Sequence, residues 1–343
     1  MEGGVWPVGA VTLVPVLELD AATVLLQWAT GGMLFCWFTT RRREVGLGYG
    51  WLLRGTFGLL ALGALGLGLR FDTVPGRELA SAGVVLACAV GLGVSIARRR
   101  AGVSGQRAEH DRRTARVAAM TGIERTGRAQ EADHAAAGQT ATTGADAAEI
   151  GGPEAGRAGA NEAVTRSSVG RTALREFPPV LDLVPVVIGV IGLLIAAEAA
   201  TGDGGASLGV SIARTLVGAA FLGSLSASML LGHWYLVQPG LPRRLLNEIV
   251  TAVALLWPFQ VGVMLLPPGM ISVFTGEIDD GWGGVLGWMW IACAATTIVL
   301  IGMTRAALKE RQYSAVMAAT GLLYLAILTG FGTDLVARAV LSG

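Results

Sequence analysis

The sequence predicts an all-α polytopic membrane helix bundle with about eight transmembrane helices and a long disordered cytoplasmic loop. The first observation behind this prediction is composition: of 343 residues, 52% are hydrophobic and only 15% are charged, as is typical of membrane proteins. The second is a series of apolar stretches of about 20 residues, the length that a helix needs to cross a bilayer core of about 30 Å. The third is a one-sided distribution of Lys and Arg.

The predicted helices divide the chain into three parts. Residues 1–97 form an N-terminal three-helix membrane unit, residues 98–176 a linker, and residues 177–343 a C-terminal five-helix membrane unit. The predicted spanning segments are 21–40, 48–69, 79–97, 179–200, 208–237, 245–266, 284–304 and 313–336. The first has no basic segment before it and no small-residue cleavage pattern, so we predict a retained helix and not a cleaved signal peptide. Glycine is frequent in these segments, which predicts close helix packing.

Basic residues predict the orientation of the chain. If the N-terminus lies outside the cytoplasm, the segments on the cytoplasmic side hold 21 of the 26 Lys and Arg residues. A long loop is a poor indicator of orientation, but the short loops alone favour this topology by eight basic residues to two. Both termini are therefore predicted to be extracytoplasmic and the 98–176 loop to be cytoplasmic.

The 98–176 loop differs from the rest of the chain in composition. It is rich in Ala, Gly, Thr, Arg and Glu, and it has no aromatic residue and no sustained apolar face. These properties predict a mostly disordered segment. Its 13 Arg against 10 acidic residues suit loose contact with anionic lipid headgroups, although a plain solvated linker explains the same composition.

Ionisable residues at membrane depth are expensive and are therefore candidates for function. The predicted topology places four of them, from four helices, at one level near the cytoplasmic side. Arg54 can pair there with Asp182 or Glu248, which leaves a histidine able to titrate near neutrality. The candidate ligand-binding residues are His233, Trp234, Tyr235, Arg54, Asp182 and Glu248.

A purely structural interpretation of the same residues stays open. Arg54 would then extend to the headgroups, Asp182 and Glu248 would lie in first helical turns, and the aromatic residues after His233 would belong to an interfacial belt.

A second set of polar residues lies deeper in the predicted helices. The cavity candidates are Gln27, Trp257, Pro258, Gln260 and Tyr324. Pro258 removes a backbone donor and frees the carbonyl of Ala254, so we expect a kink, and a kinked helix beside Gln260 could line a cavity. A packed proline kink without a ligand is the alternative.

A third set lies at the predicted outer side, namely Glu18, Asp20, Glu198, Arg214, Asp334 and Arg338. Asp334 and Arg338 are four residues apart and can pair on one helix face. Arg214 and His233 are 19 residues apart, about 28 Å along one helix, so the outer and cytoplasmic levels cannot form one site.

The sequence lacks the residues that several kinds of cofactor or catalytic site need. A bis-histidine haem needs two His in the membrane, but His110 and His134 fall in the polar loop, which leaves His233. The chain has no zinc-ligand spacing, phosphate-binding loop or nucleophile elbow, and its three cysteines fall in apolar segments. Haem, zinc and nucleic acid are therefore disfavoured, and no complete catalytic motif indicates an enzyme.

Residues 232–242, Gly-His-Trp-Tyr-Leu-Val-Gln-Pro-Gly-Leu-Pro, resemble a segment of uncharacterised multi-pass bacterial membrane proteins. The Ala-Thr-Gly-Leu-Leu-Tyr-Leu-Ala run at 319–326 extends this resemblance. It implies a prokaryotic cytoplasmic membrane and implies no activity. The helix count is also similar to that of quinol-interacting anchor subunits of respiratory oxidoreductases, which is an analogy of architecture alone.

Three functions remain open from the sequence. One is a quinone-binding or anchor subunit of a membrane redox complex, in which His233, Trp234 and Tyr235 contact the quinone. Another is a small-solute transporter with a cavity near Pro258 and Gln260. The third is a membrane scaffold or assembly factor that recruits a partner through the 98–176 loop. The expected partners are accordingly the lipid bilayer, other membrane subunits and a small-molecule ligand.

Overall fold

The computed structural model describes residues 20–99, 176–201, 207–238, 241–310 and 312–341. These ranges contain the helices α1 (Ala21–Thr40), α2 (Leu47–Arg70), α3 (Pro75–Ala97), α4 (Leu183–Ala199), α5 (Leu208–Val237), α6 (Arg243–Leu265), α7 (Met270–Thr275), α8 (Val285–Lys309) and α9 (Tyr313–Leu341). A 3-10 helix at Pro179–Asp182 leads into α4. Almost all of the predicted disordered loop, residues 100–175, falls outside the described ranges, and so does Glu18.

Every one of these helices except the six-residue α7 belongs to a segment long and apolar enough to cross a membrane, which makes eight such segments. The predicted fold class is therefore confirmed: this is an all-α integral membrane protein. Predicted and observed helix ends differ by at most five residues, most at the C-terminal ends of α8 and α9. Hydropathy marks the end of the apolar core, whereas the helical backbone of α8 continues through Arg305 to Lys309.

The helices α1 and α5 form the centre of the packing. In an 18-residue apolar stretch of each spanning segment, 67% of the residues are buried in α1 and 72% in α5, against less than half in every other segment. Glycine allows the close approach of these two helices, because a Cβ atom on Gly31 would lie 1.7 Å from the carbonyl oxygen of Ala219. A Cβ atom on Gly223 would likewise lie 2.1 Å from the carbonyl carbon of Gly31. Nearby, Trp28 Nε1 donates to Ser226 Oγ at 2.6 Å.

Other helices surround this pair. α4 packs against α1 and α5, α6 and α9 pack against α5, and α8 packs against α6 and α9. Described helices from before and after the predicted linker therefore belong to one compact unit, made up of Met1–Arg41, Gly48–Ser95 and Pro178–Gly343.

A second unit groups Arg42–Leu47 with the described residues 96–99 and 176–177. Among its described residues, Arg43 Nη1 lies 2.7 Å from Glu176 Oε2. Arg98 Nη1 donates to the backbone oxygen of Glu176 at 3.1 Å. These contacts join the connection between α1 and α2 to the two described ends of the predicted linker.

Asp280 organises the connection between α7 and α8. Its Oδ1 accepts the backbone N–H groups of Trp282 at 3.0 Å and Gly284 at 2.8 Å, and its Oδ2 accepts that of Leu286 at 2.9 Å. These donors, the N–H of Gly284 foremost, lower the pKa of the Asp280 carboxyl below its ordinary value. The carboxylate therefore fixes the start of α8 while it is ionised.

Candidate functional site

The first polar cluster, called the Arg54 cluster, joins α1, α2 and the 3-10 helix. Arg54 Nε and Nη2 each donate to one oxygen of the Asp182 carboxylate at 2.7 Å. The side chains of Arg54 and Asp182 are 3% and 1% exposed. Thr40 Oγ1 lies 3.3 Å and Cys36 Sγ 3.9 Å from Asp182 Oδ2. Two parallel hydrogen bonds between planar ions give a geometry that only an arginine and a carboxylate adopt.

The local backbone explains why both charges fit. Asp182 occupies the N-cap position of α4, but its side chain makes no capping hydrogen bond and turns to Arg54 instead. On α2, a Cβ atom at Gly50 would lie 2.6 Å from Arg54 Nη1. Arg54 therefore does not extend to the headgroups, and of its two predicted partners it holds Asp182. Glu248, the alternative partner, is half-buried on α6.

The predicted group His233, Trp234 and Tyr235 divides among different surroundings. His233 is exposed on α5, with its Nδ1 3.3 Å from the hydroxyl of Tyr324 on α9. Trp234 Nε1 donates to Gln238 Oε1 at 3.1 Å, and its ring approaches Gly48 on α2. The buried Tyr235 donates its hydroxyl to the backbone oxygen of Pro242 at 2.6 Å. Trp234 and Tyr235 thus fix the end of α5 and its turn.

Two of the cavity candidates lie away from the interior. Tyr324 is 43% exposed, so it is not buried between the helices, and its role as a cavity candidate stays a prediction. Pro258 also faces outward, and α6 continues through it to Leu265. Trp257, next to it, donates its indole N–H to the backbone oxygen of Ala294 on α8 at 3.0 Å.

The second polar cluster, called the Asp334 cluster, contains the remaining two cavity candidates. Asp334 Oδ1 accepts a hydrogen bond from Gln260 Nε2 at 2.8 Å. Its Oδ2 accepts hydrogen bonds from Arg338 Nε at 2.8 Å and from Gln27 Nε2 at 3.5 Å. Asp334, Gln27 and Gln260 are all buried. One carboxylate thus joins α1, α6 and α9.

Two oxygen atoms of the Asp334 cluster have no partner. The side-chain oxygens Oε1 of Gln27 and Gln260 are buried and accept no hydrogen bond from the described residues. Each belongs to an amide group whose nitrogen contacts Asp334. A buried acceptor without a donor is destabilising by about 1–3 kcal/mol, so both oxygens favour an additional donor in this place.

Arg338 and Arg214 connect the Asp334 cluster to the end of α6. Arg338 Nη2 donates to the backbone oxygen of Arg214 at 3.2 Å. Arg214 Nε donates to the backbone oxygen of Val263 at 3.1 Å, and its Nη2 donates to those of Leu266 at 2.6 Å and Pro268. The last turn of α6 has carbonyl groups without helical donors, and Arg214 supplies donors for them.

A third cluster, the Arg77 cluster, lies where α1, α2 and α3 end or begin. Arg77 Nη1 donates to Asp20 Oδ2 at 2.7 Å and to Thr23 Oγ1 at 3.1 Å. Its Nη2 donates to Glu78 Oε1 at 2.8 Å. A Cβ atom at Gly68 on α2 would lie 2.1 Å from that Glu78 oxygen. This network ties the first three helices together, and it was not predicted because the predicted third segment began at residue 79, which left Arg77 outside the helices.

The Asp334 cluster was only partly predicted, because its members were assigned to two separate levels. Gln27 lies six residues after the start of α1, Gln260 five residues before the end of α6, and Asp334 seven residues before the end of α9. At 1.5 Å per residue, all three lie about 8–10 Å from helix ends that the predicted topology puts on one side. A comparison of the distance from each residue to the outer end of its predicted helix could have placed Gln27, Gln260 and Asp334 at one level.

These clusters lie inside an integral membrane protein with eight apolar helices, and that is the class which fold and site define. Comparison with protein families, curated proteins and solved structures finds no match to this chain. Among the described residues, no group of three or more His, Cys, Asp or Glu side chains is placed to hold a metal ion.

Proposed function

We propose that this protein is a transporter for a small polar solute and that the Asp334 cluster forms part of its binding region. One observation carries the proposal: a buried carboxylate at membrane depth is surrounded by two glutamine amides from other helices, and both amides keep an unpartnered oxygen. Ionisable groups at such depth are rare outside binding sites and ion pathways. A polar solute would supply the missing donors.

The arrangement of the two clusters on α1 supports the proposal. Gln27 belongs to the Asp334 cluster and Cys36 to the Arg54 cluster, nine residues apart and so about 14 Å along the helix. Gly31, where α1 and α5 touch, lies between them. A transporter needs a binding region that is closed toward one side at a time. In this proposal the Arg54–Asp182 ion pair closes the predicted cytoplasmic side.

Ligand-induced stabilisation followed by flux tests the proposal. The purified full-length protein is heated with a panel of small polar solutes, since a ligand at about 100 times its Kd stabilises the folded state by about 2.7 kcal/mol. Each stabilising solute is then followed into proteoliposomes. We expect saturable uptake that Asp334→Asn abolishes.

The matched control is Glu198→Gln, which removes the charge of an exposed carboxylate on α4. This variant should transport like the wild type. Uptake that survives Asp334→Asn, or a protein that transports none of the solutes that stabilise it, would argue against the proposal.

A quinone-binding subunit is a second candidate, and the His233–Tyr324 contact favours it. The imidazole and the phenol lie 3.3 Å apart on an exposed surface of apolar helices, where a lipid-soluble quinone has direct access. Mass spectrometry and optical spectroscopy of the protein purified from its native membrane test this candidate. A co-purifying quinone that His233→Ala removes would support it, and a preparation without quinone or redox subunits would count against it.

We also propose that the protein resides in a cytoplasmic membrane, with both termini extracytoplasmic and the 98–176 loop cytoplasmic. The support is the distribution of Lys and Arg, together with the resemblance of residues 232–242 to bacterial multi-pass proteins.

A further inference from the structure

We infer that the Asp334 cluster binds a small primary ammonium group, and that Arg338 competes with this ligand for the same carboxylate. The inference rests on the proposed function and names the chemical class of the solute. It also predicts binding to the purified protein, which can be measured without transport.

The polar atoms of the cluster select a cationic donor. Gln27 Oε1 and Gln260 Oε1 are buried acceptors without donors, and Asp334 between the two amides carries a negative charge. A primary ammonium group has one positive charge and three N–H donors, so it can serve both oxygens and the carboxylate. An anion would be repelled by the same atoms, and a neutral solute could not replace Arg338 as the counter-charge of the carboxylate.

On the α5 side, a glycine keeps side-chain atoms out of the cluster. A Cβ atom at Gly218 would lie 2.2 Å from Gln27 Nε2 and 2.9 Å from Asp334 Oδ1. The cluster therefore accepts no additional side chain at this position. An ammonium group with N–H bonds suits the two acceptor oxygens better than a quaternary ammonium, which has no donor.

Arg338 is the cation that holds this carboxylate in the structure. Its Nε lies 2.8 Å from Asp334 Oδ2, and its side chain is 17% exposed whereas that of Asp334 is 1% exposed. Arg338 is one turn closer to the C-terminal end of α9, so its guanidinium can withdraw toward that end. If an ammonium group replaces it, the buried carboxylate exchanges one cation for another. The exchange avoids an unpaired buried charge, which would be strongly unfavourable.

Thermal unfolding of the full-length protein in detergent tests the inference. The probes are methylammonium, tetramethylammonium and sodium chloride, compared at equal ionic strength and pH 7, where methylammonium is protonated. We expect methylammonium alone to raise the unfolding temperature, with saturation. Asp334→Asn and the double variant Gln27→Leu/Gln260→Leu should lose this response, and Glu198→Gln should keep it.

Replacement of the competitor provides the sharper measurement. Arg338→Gln should lower the half-saturating methylammonium concentration about tenfold, which is the scale of one hydrogen bond between charged groups. Arg338→Lys keeps a competing cation and should respond like the wild type. If Arg338→Gln does not fold, the methylammonium responses of the wild type and of Asp334→Asn still test the inference.

An equal response to tetramethylammonium or sodium, no response of the folded wild type, or an undiminished response of Asp334→Asn would overturn the inference. Methylammonium binding without flux of any solute would leave the ammonium site intact and reject transport. Asp334-dependent flux of a solute without an ammonium group would support transport and reject the ammonium site.

Discussion

Arg54 and Asp182 depend on each other, because each neutralises a charge that has almost no contact with solvent. Both Asp182 oxygens accept hydrogen bonds from Arg54, and Thr40 adds a further donor. Removal of one ion from such a pair leaves the other buried and unpaired, whereas removal of both leaves an apolar contact. Substitution of both residues should therefore destabilise the protein less than substitution of one of them.

We expect Arg54→Met alone to destabilise the protein by about 3–5 kcal/mol, because Asp182 then remains as an unpaired charge. The double variant Arg54→Met/Asp182→Leu should recover most of this loss. Reversible unfolding in detergent mixtures, followed by circular dichroism, measures both. Equal destabilisation by the single and the double variant would show that the contribution of Arg54 does not come from its pairing.

Asp280 predicts a pH dependence outside the membrane-spanning helices. Its pKa is lowered in the folded state by backbone N–H donors, so the stabilisation is complete above the unfolded pKa of about 3.9. It is lost as the pH falls through the lower folded pKa. Asp280→Asn should destabilise the protein by about 0.3–1 kcal/mol near neutral pH, because asparagine keeps one acceptor oxygen but loses the charge that favours the N–H groups at the start of α8.

The difference between wild type and Asp280→Asn should begin to shrink below about pH 4, where the unfolded chain takes up the proton, and should disappear once the pH has fallen through the lower folded pKa of Asp280. Thermal unfolding across this pH range provides the measurement. Asp279→Asn is the control, since Asp279 is exposed and accepts one local N–H from Gly281. A difference that persists unchanged at low pH would contradict the assigned role of the charge.

At the scale of elements, the crossing of α1 and α5 has the tightest backbone contact described above. Gly31→Ala would put a methyl group 1.7 Å from the carbonyl oxygen of Ala219, so the two helices would have to separate. We expect destabilisation of at least about 2 kcal/mol, since backbone atoms cannot rotate away as side chains do. Thermal unfolding in detergent measures the loss.

Gly66→Ala on α2 is the matched control, because a Cβ atom there meets nothing within 4 Å. In a helix this change should be neutral or stabilising by up to about 1 kcal/mol. Similar unfolding temperatures for both variants would contradict the importance of the crossing.

The elements were more predictable from sequence than their contacts. A continuous apolar run identifies a spanning helix by itself, which is why the bounds of α1 and α5 agree with the prediction. Whether a polar residue faces a neighbouring helix depends on the rotation of each helix, and hydropathy carries no such information. Gln27 and Tyr324 therefore looked equivalent in sequence, yet one is buried against Asp334 and the other is exposed beside His233.

Residue spacing in the sequence predicted a contact correctly where both residues lie on one helix. Asp334 and Arg338 are four residues apart, and their pairing follows from one helical turn. The pair Arg54 and Asp182 was one of two alternatives, because a shared level does not specify which helices are neighbours. α7 and the Asp280 turn were not predicted at all, since six residues with two glycines nearby give no helical period.

At the scale of the whole molecule, the predicted topology puts Thr275 outside the cytoplasm and Ser314 at the cytoplasmic end of the last spanning segment. Both residues are exposed: Thr275 is the last residue of α7, and Ser314 lies at the start of α9. In intact cells, a membrane-impermeant maleimide should label Thr275→Cys, and it should label Ser314→Cys only after permeabilisation. The parent protein, whose Cys36 and Cys88 are buried, gives the background. The opposite labelling pattern would reverse the orientation.

The central position of α1 sets a long delay during synthesis. Its Trp28 hydrogen-bonds a residue 198 positions later, and its Gln27 hydrogen-bonds one 307 positions later. Ribosomes add about 5–20 residues per second, so α5 follows α1 by about 10–40 s and α9 by about 15–60 s. For that time α1 has entered the membrane with neither its helix partner nor a carboxylate for its glutamine. The nascent chain therefore holds its central helix with α2 and α3 available but without α5, its main packing partner, through more than half of its own translation.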